Sequence, residues 1–310
     1  MILVFVLFGL FASVFTIQKE ALLFASPFFL VGSRMLLAGF LLLGISLYRK
    51  KPILSTLQKG NGLFEITVLA IANIYLTNVL ELWGLQYLTS FKTCFLYSLS
   101  PFLSALIAYL TWGEKLTGNK LMGLVIGFVG FFPMLLTSTS VEKAVGELWV
   151  FSWPELAIIG AVVTSVWGWI VLKELVHTHK TDPLVANGWS MLIGGFLALI
   201  HSYLFESWNP IPVTNIPAFL QCTLLLIIIS NILAYNLYGY LLKRFSATFM
   251  SFAGLSTPLF TALFGWLFLR EEVTGVFFLS LSVVFIGLLM FYREELKDVA
   301  HPIEASPPAP

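Results

Sequence analysis

Charge is scarce in this chain. Asp, Glu, Lys and Arg make up 11% of its 310 residues, against about a quarter in soluble domains. So apolar a surface is not hydrated, which excludes a large water-soluble domain and makes a lipid bilayer the reasonable solvent. Cysteine is almost missing: Cys94 and Cys222 both lie in apolar runs without a motif partner, so neither a disulfide framework nor a thiolate metal site is expected. Aspartate is nearly absent as well. Asp182 and Asp298 both fall outside the middle of a span, which argues against an intramembrane hydrolase with paired aspartates. The chain has no G-x-x-x-x-G-K-[ST] loop, no H-E-x-x-H and no G-x-S-x-G, so nothing points to nucleotide-driven pumping, zinc hydrolysis or acyl transfer. With a net charge of +1 and no basic patch, a nucleic-acid partner is not expected. No cofactor and no metal are expected either; His177-Thr-His179 reads as a pair of solvated loop histidines without a third ligand.

What the chain does have is apolar length. Hydrophobic residues make up 58% of it. A span needs about 20 largely apolar residues, and long runs select helices over barrel strands because each helix satisfies its own backbone. Ten spans are read: 1–17, 27–48, 64–85, 91–112, 120–136, 155–175, 183–203, 216–242, 247–268 and 275–292. The first lacks a basic n-region and is expected to be a retained helix. With the N-terminus inside, the inner segments carry twelve Lys and Arg and the outer segments four, namely Lys19, Lys92, Lys143 and Arg270. That asymmetry places both termini in the cytoplasm.

The spans fall into two related halves. Pro101, Ala105, Leu106, Leu110, Glu114, Thr117 and Gly118 recur 157 residues on as Pro258, Ala262, Leu263, Leu267, Glu271, Thr274 and Gly275. The expected organisation is a first repeat over 1–137, a polar linker over 138–153, a second repeat over 154–292 and a disordered polar tail over 293–310. Each half holds five spans, an odd number, so the second half enters the membrane from the opposite side. Inverted repeats of this kind enclose a central site in many carriers. The fold class expected is an all-α membrane protein of ten transmembrane helices built as two inverted five-helix repeats.

Polar side chains inside a membrane are costly, and each asks for a partner or a cavity. Tyr75, Asn78 and Glu81 follow one another in steps of three, which places them on one helix face. The repeat sets Asn78 against Tyr235 and Glu81 against Tyr238, so Asn231, Tyr235 and Tyr238 form a matching face on the eighth helix. The two faces are expected to meet and line a central cavity; interhelical hydrogen bonding is the plainer use of the same residues. Glu81 is the candidate for a substrate ammonium or other cation, or for a coupling proton, because desolvation favours the neutral form of a carboxylic acid; it stands near the outer end of its helix, where facing water is the plainer reading. Lys92 reads as a partner for Glu81 or for a substrate carboxylate, or else as a snorkelling interfacial lysine. Trp167 and Trp189 are candidates to stack on a planar substrate group, with Trp169, Phe95, Tyr97 and Phe252 as lesser ones. Arg34 is too deep to snorkel easily and is expected to meet a helix-end carbonyl or a carboxylate, in a structural role with substrate binding as the alternative; Pro101, Pro258, Glu114 and Glu271 are assigned structural roles. The prolines permit bends; the acidic residues and Thr117 or Thr274 favour the start of the following helix.

The pattern resembles a known family. Each half runs through a proline-bearing helix into Gly113-Glu-Lys-Leu-Thr117 or Arg270-Glu-Glu-Val-Thr274, and a last helix spaced by Gly123, Gly127 and Gly130 follows in the first half. Lys19, Trp167-Gly168 and Asn187-Gly-Trp-Ser190 fit the same pattern. The chain is similar over nearly all of 1–292 to the drug/metabolite transporter superfamily, and to its EamA-type ten-helix carriers in particular. Phe8-Gly9 departs from the Trp-Gly pair common there, and Arg270-Glu271 from the Gly-Glu element. The resemblance implies a carrier of a small organic metabolite, neither channel nor ATP-driven pump, and no enzyme. The mixed polar set suits a zwitterion such as an amino acid, or S-adenosylmethionine, which some members of the superfamily carry. An intramembrane enzyme and a non-transporting sensor or scaffold are the alternative classes. The membrane expected is the inner membrane of a bacterium.

Overall fold

The computed structural model describes residues 2–58, 62–112, 117–245, 250 and 253–300. Glu114, Phe252, the expected start of the ninth span at Ala247, and the tail from 301 onward lie outside the described residues. The helices are α1 (Ile2–Ala21), α2 (Pro27–Tyr48), α3 (Ile53–Gln58), α4 (Gly62–Leu85), α5 (Ser90–Tyr97), α6 (Ser100–Trp112) and α7 (Gly118–Leu135). They continue with α8 (Ser140–Val145), α9 (Trp153–His177), α10 (Pro183–Phe205), α11 (Ile216–Leu241), α12 (Gly254–Leu269) and α13 (Gly275–Ala300). Among the described residues nine helical segments are long and apolar enough to cross a membrane, and α12 is a shorter apolar helix. Together they account for ten spans.

Local chemistry sets the ends. Pro27 opens α2, and the Glu206 carboxylate accepts from the Phe28 and Phe29 amides at 2.7 and 2.9 Å, satisfying donors that a helix start leaves orphaned. Ser152 and Glu155 form a reciprocal capping box on α9. Thr117 caps α7 by accepting from the Lys120 amide. Glu271 has a different task from the one expected. Its carboxylate accepts from the amide and hydroxyl of Ser90 at 2.8 and 2.7 Å, so it caps α5 rather than the helix that follows it. Pro101 and Pro258 do not bend continuous helices. The chain leaves the α-helix at Ser98 and Leu99 before Pro101, and it passes through a 3₁₀ turn at Gly254–Ser256 before Pro258. Each proline then sits in the first turn of a new helix, where its missing N–H costs nothing.

The described residues form two compact units, and each draws on both halves of the sequence repeat. The first comprises Met1–Ser100 and Ser138–Val273. In it α2 packs against α10, α9 against α4, and α1 against α11 and α12. Pro27, Gly32, Gly39 and Ser46 of α2 recur 156 residues on as Pro183, Gly188, Gly195 and Ser202 of α10. The glycines make the crossing possible: a Cβ on Gly39 would stand 2.8 Å from the Leu192 amide nitrogen, and one on Gly195 2.8 Å from that of Leu36. The second unit comprises Pro101–Thr137 and Thr274–Pro310. Here α7 and α13 cross through Gly123, Gly127, Gly130 and Gly287, with backbone atoms in direct contact, the small-residue packing used where lipid supplies no hydrophobic drive.

The linker over 138–153 is folded into α8 and a two-stranded hairpin, β1 (Glu147–Leu148) and β2 (Phe151–Ser152). One segment differs from the sequence reading: α13 continues beyond the expected end at Tyr292 to Ala300, because Arg293-Glu-Glu-Leu-Lys is made of good helix formers.

Candidate functional site

One of the two pairs set by the repeat meets inside the first unit. Asn78 on α4 and Tyr235 on α11 lie side by side, with Asn78 Nδ2 3.4 Å from the Tyr235 hydroxyl. The local cause is a matched irregularity. Both helices widen into a π turn, at Ala70–Leu76 and Ile227–Ala234, and such turns recur at functional sites. A side-chain amide takes up backbone carbonyls at each. Asn78 Nδ2 donates to the Asn73 and Ile74 carbonyls at 3.1 and 3.0 Å. Asn236 Nδ2 donates to those of Asn231 and Ile232, both at 2.9 Å. With the amide nitrogens committed, the oxygens accept: Asn78 Oδ1 from Arg34 Nη2 at 2.6 Å, Asn236 Oδ1 from Asn187 Nδ2 at 3.0 Å.

Glu81 follows Asn78 on α4 and is 8% exposed. The Tyr97 hydroxyl donates to its carboxylate, and the Gln18 side chain lies close by. Arg34 and Glu81 feel each other's charge, yet no ion-pair contact joins them among the described residues. Rings close one side. Trp169 lies 4.2 Å from Tyr238 and 5.3 Å from Tyr235 between centroids, and Phe11 stands 6.1 Å from Tyr238. The arrangement holds a guanidinium, a carboxylate, a phenol pair and an indole in one buried region. Chemically it offers a receptor for a small zwitterion with an aromatic or cationic body.

Other candidates are placed elsewhere. Tyr75 leaves the Asn78–Glu81 face, because the π turn breaks the spacing on which the step-of-three argument rests; its hydroxyl lies 3.1 Å from His201 Nδ1. Asn231 packs between α2 and α10, its Nδ2 3.0 Å from Met35 Sδ. Trp167 points away from the cluster and is 41% exposed. Trp189 donates to the Ile53 carbonyl at 3.2 Å. Lys92 neither snorkels nor meets Glu81. It is 2% exposed, and its Nζ lies 2.6 Å from Glu142 and 2.7 Å from Glu155. Arg34, assigned a structural role from sequence, stands at the centre of the cluster.

Several contributors were not read as central. Trp169 shares the buried face of Val162, Ser165, Val166 and Leu172, and helical spacing would have preferred it over Trp167. Asn236 echoes Asn78, one residue outside the repeat register. Gln18 and Glu142 carried no signal beyond being polar. A cavity of about 670 Å³ lies beside this region, between α1, α11 and α12, lined by Ser13, Thr16, Glu20, Gln221, Cys222 and Phe268 among others. The sequence candidates do not line it. The rings of Trp169, Tyr235, Tyr238 and Phe11 pack along one side of the polar cluster.

Ten apolar helices, a twofold internal repeat and opposite charges buried in one compact unit define a multi-pass membrane protein of the carrier class. The chain belongs to the EamA-like transporter family, whose model matches residues 1–136 and 152–293. It is 38% identical to a protein of Chlamydia muridarum (strain MoPn / Nigg) named S-adenosylmethionine/S-adenosylhomocysteine transporter, over 96% of this chain and 92% of that protein. A protein of the same name from Chlamydia trachomatis serovar L2 (strain ATCC VR-902B / DSM 19102 / 434/Bu) is also 38% identical, over 96% of this chain and 90% of its own length. One crystal structure at 17% identity superposes with a TM-score of 0.65, covering 94% of this chain and 95% of that one, and shares the fold.

Proposed function

We propose that this chain carries S-adenosylmethionine and S-adenosylhomocysteine across a bacterial inner membrane by alternating access, with both termini in the cytoplasm. The observation that carries the reading is 38% identity over nearly the whole chain to proteins named for those solutes. The polar cluster supports it. Glu81 is a buried acceptor for the substrate ammonium. Trp169, Tyr235, Tyr238 and Phe11 supply π-faces for an adenine ring and for a sulfonium, a cation that aromatic faces attract. Each π turn ends just before Asn78 or Tyr235, the residues at which α4 and α11 meet, and the two turns give their helices a point of yield for rocking between outward and inward states. Nothing in this reading needs a chemical step, so it describes a carrier rather than an enzyme.

Ligand binding to the folded protein alone raises its apparent stability, by about 2.7 kcal/mol at a hundredfold excess over Kd. In detergent, S-adenosylmethionine and S-adenosylhomocysteine are expected to raise the melting midpoint by several degrees, and adenosine or methionine alone by less. Equal and negligible shifts for all four ligands would reject the substrate.

A further inference from the structure

We infer that Arg34 is the receptor for the carboxylate of the transported solute, an assignment that rests on the proposed amino-acid nucleoside substrate. Arg34 is fully buried. Its Nη2 donates to Asn78, while Nε and Nη1 have no hydrogen-bond partner among the described residues. A buried guanidinium carrying unused donors is expensive, and an intramembrane charge of this kind marks a substrate or ion pathway.

Two observations separate a receptor from a scaffold. First, the fold does not require a cation at this position. Under the register that aligns Pro27, Gly32, Gly39 and Ser46 with Pro183, Gly188, Gly195 and Ser202, Arg34 corresponds to Ser190. Ser190 is equally buried, and among the described residues its hydroxyl bonds within its own helix, to the Asn187 carbonyl. Second, the guanidinium is held in place by a group that cannot turn. Asn78 spends its nitrogen on the carbonyls of the π turn, so its oxygen is fixed toward Arg34, and the free donors keep one direction. Arginine suits planar, multiple hydrogen bonding to a carboxylate. With Glu81 further along α4, the cluster presents one positive and one negative group, the complement of an α-amino acid head.

The test compares S-adenosylmethionine with the same sulfonium lacking its carboxylate, as competitors of labelled S-adenosylmethionine uptake into proteoliposomes. On the wild-type protein the decarboxylated compound is expected to compete roughly tenfold less well or worse, the loss of a charge-assisted contact. Arg34→Gln is expected to erase that preference, and Arg34→Lys to keep part of it. Equal competition on the wild type overturns the assignment without any variant having to fold. So does a preference that survives in Arg34→Gln. Wild-type protein that takes up no S-adenosylmethionine overturns the substrate reading and this assignment together, whereas uptake without carboxylate discrimination overturns this assignment alone.

Discussion

Glu81→Gln is expected to lower S-adenosylmethionine uptake by roughly ten- to a hundredfold while the protein still folds and inserts. Glutamine keeps the shape and can still accept from Tyr97, the partner seen here, but it has no charge for a substrate ammonium and no proton to exchange. Hydrogen bonds to charged groups contribute about 1.5–3 kcal/mol, and about 1.4 kcal/mol is a factor of ten; this sets the range. The check is initial uptake rate per mole of reconstituted protein, with the melting midpoint of the variant alongside. If Glu81 also carries a coupling proton, a pH gradient that drives wild-type accumulation leaves the variant unmoved. Wild-type rates in Glu81→Gln would remove the residue from the site.

The largest stability effect is expected at Lys92. Its ammonium lies between Glu142 and Glu155, both fully buried. Removing one partner from a buried ion pair costs about 3–5 kcal/mol, because the remaining charge is stranded. Here Lys92→Met strands two carboxylates at once. Glu142→Gln, by contrast, leaves Lys92 with Glu155 and is expected to cost far less. Melting midpoints of the two variants in detergent measure the asymmetry. Equal destabilisation would mean that Lys92 is not what holds the folded linker onto the bundle.

Much of the fold could be read from the chain because hydropathy and repetition both report on the bilayer. Spans are set by membrane thickness, and the bounds expected for α2 coincide with those observed, Pro27–Tyr48. The repeat register alone pairs Asn78 with Tyr235. What could not be read depends on breaks in periodicity and on contacts far along the chain. Tyr75 was placed with Asn78 by a helical spacing that the π turn does not obey. For Lys92 the sequence offers Glu81, a substrate carboxylate or the membrane interface, because nothing local reveals that Glu142 folds back from the linker. For Arg34 the sequence leaves a structural role and substrate binding both open, because a lone cation in an apolar run does not show which group it meets. Its unused donors appear only once α2, α4 and Asn78 are assembled.

The most direct measurement of the central claim is counterflow. Proteoliposomes loaded with millimolar S-adenosylhomocysteine are diluted into buffer containing trace labelled S-adenosylmethionine. A carrier that exposes one central site to each side in turn predicts a transient accumulation of label above equilibrium, absent from vesicles loaded with buffer and from protein-free vesicles. Label that never rises above the buffer-loaded control, with wild-type protein shown to be folded and inserted, would contradict the account.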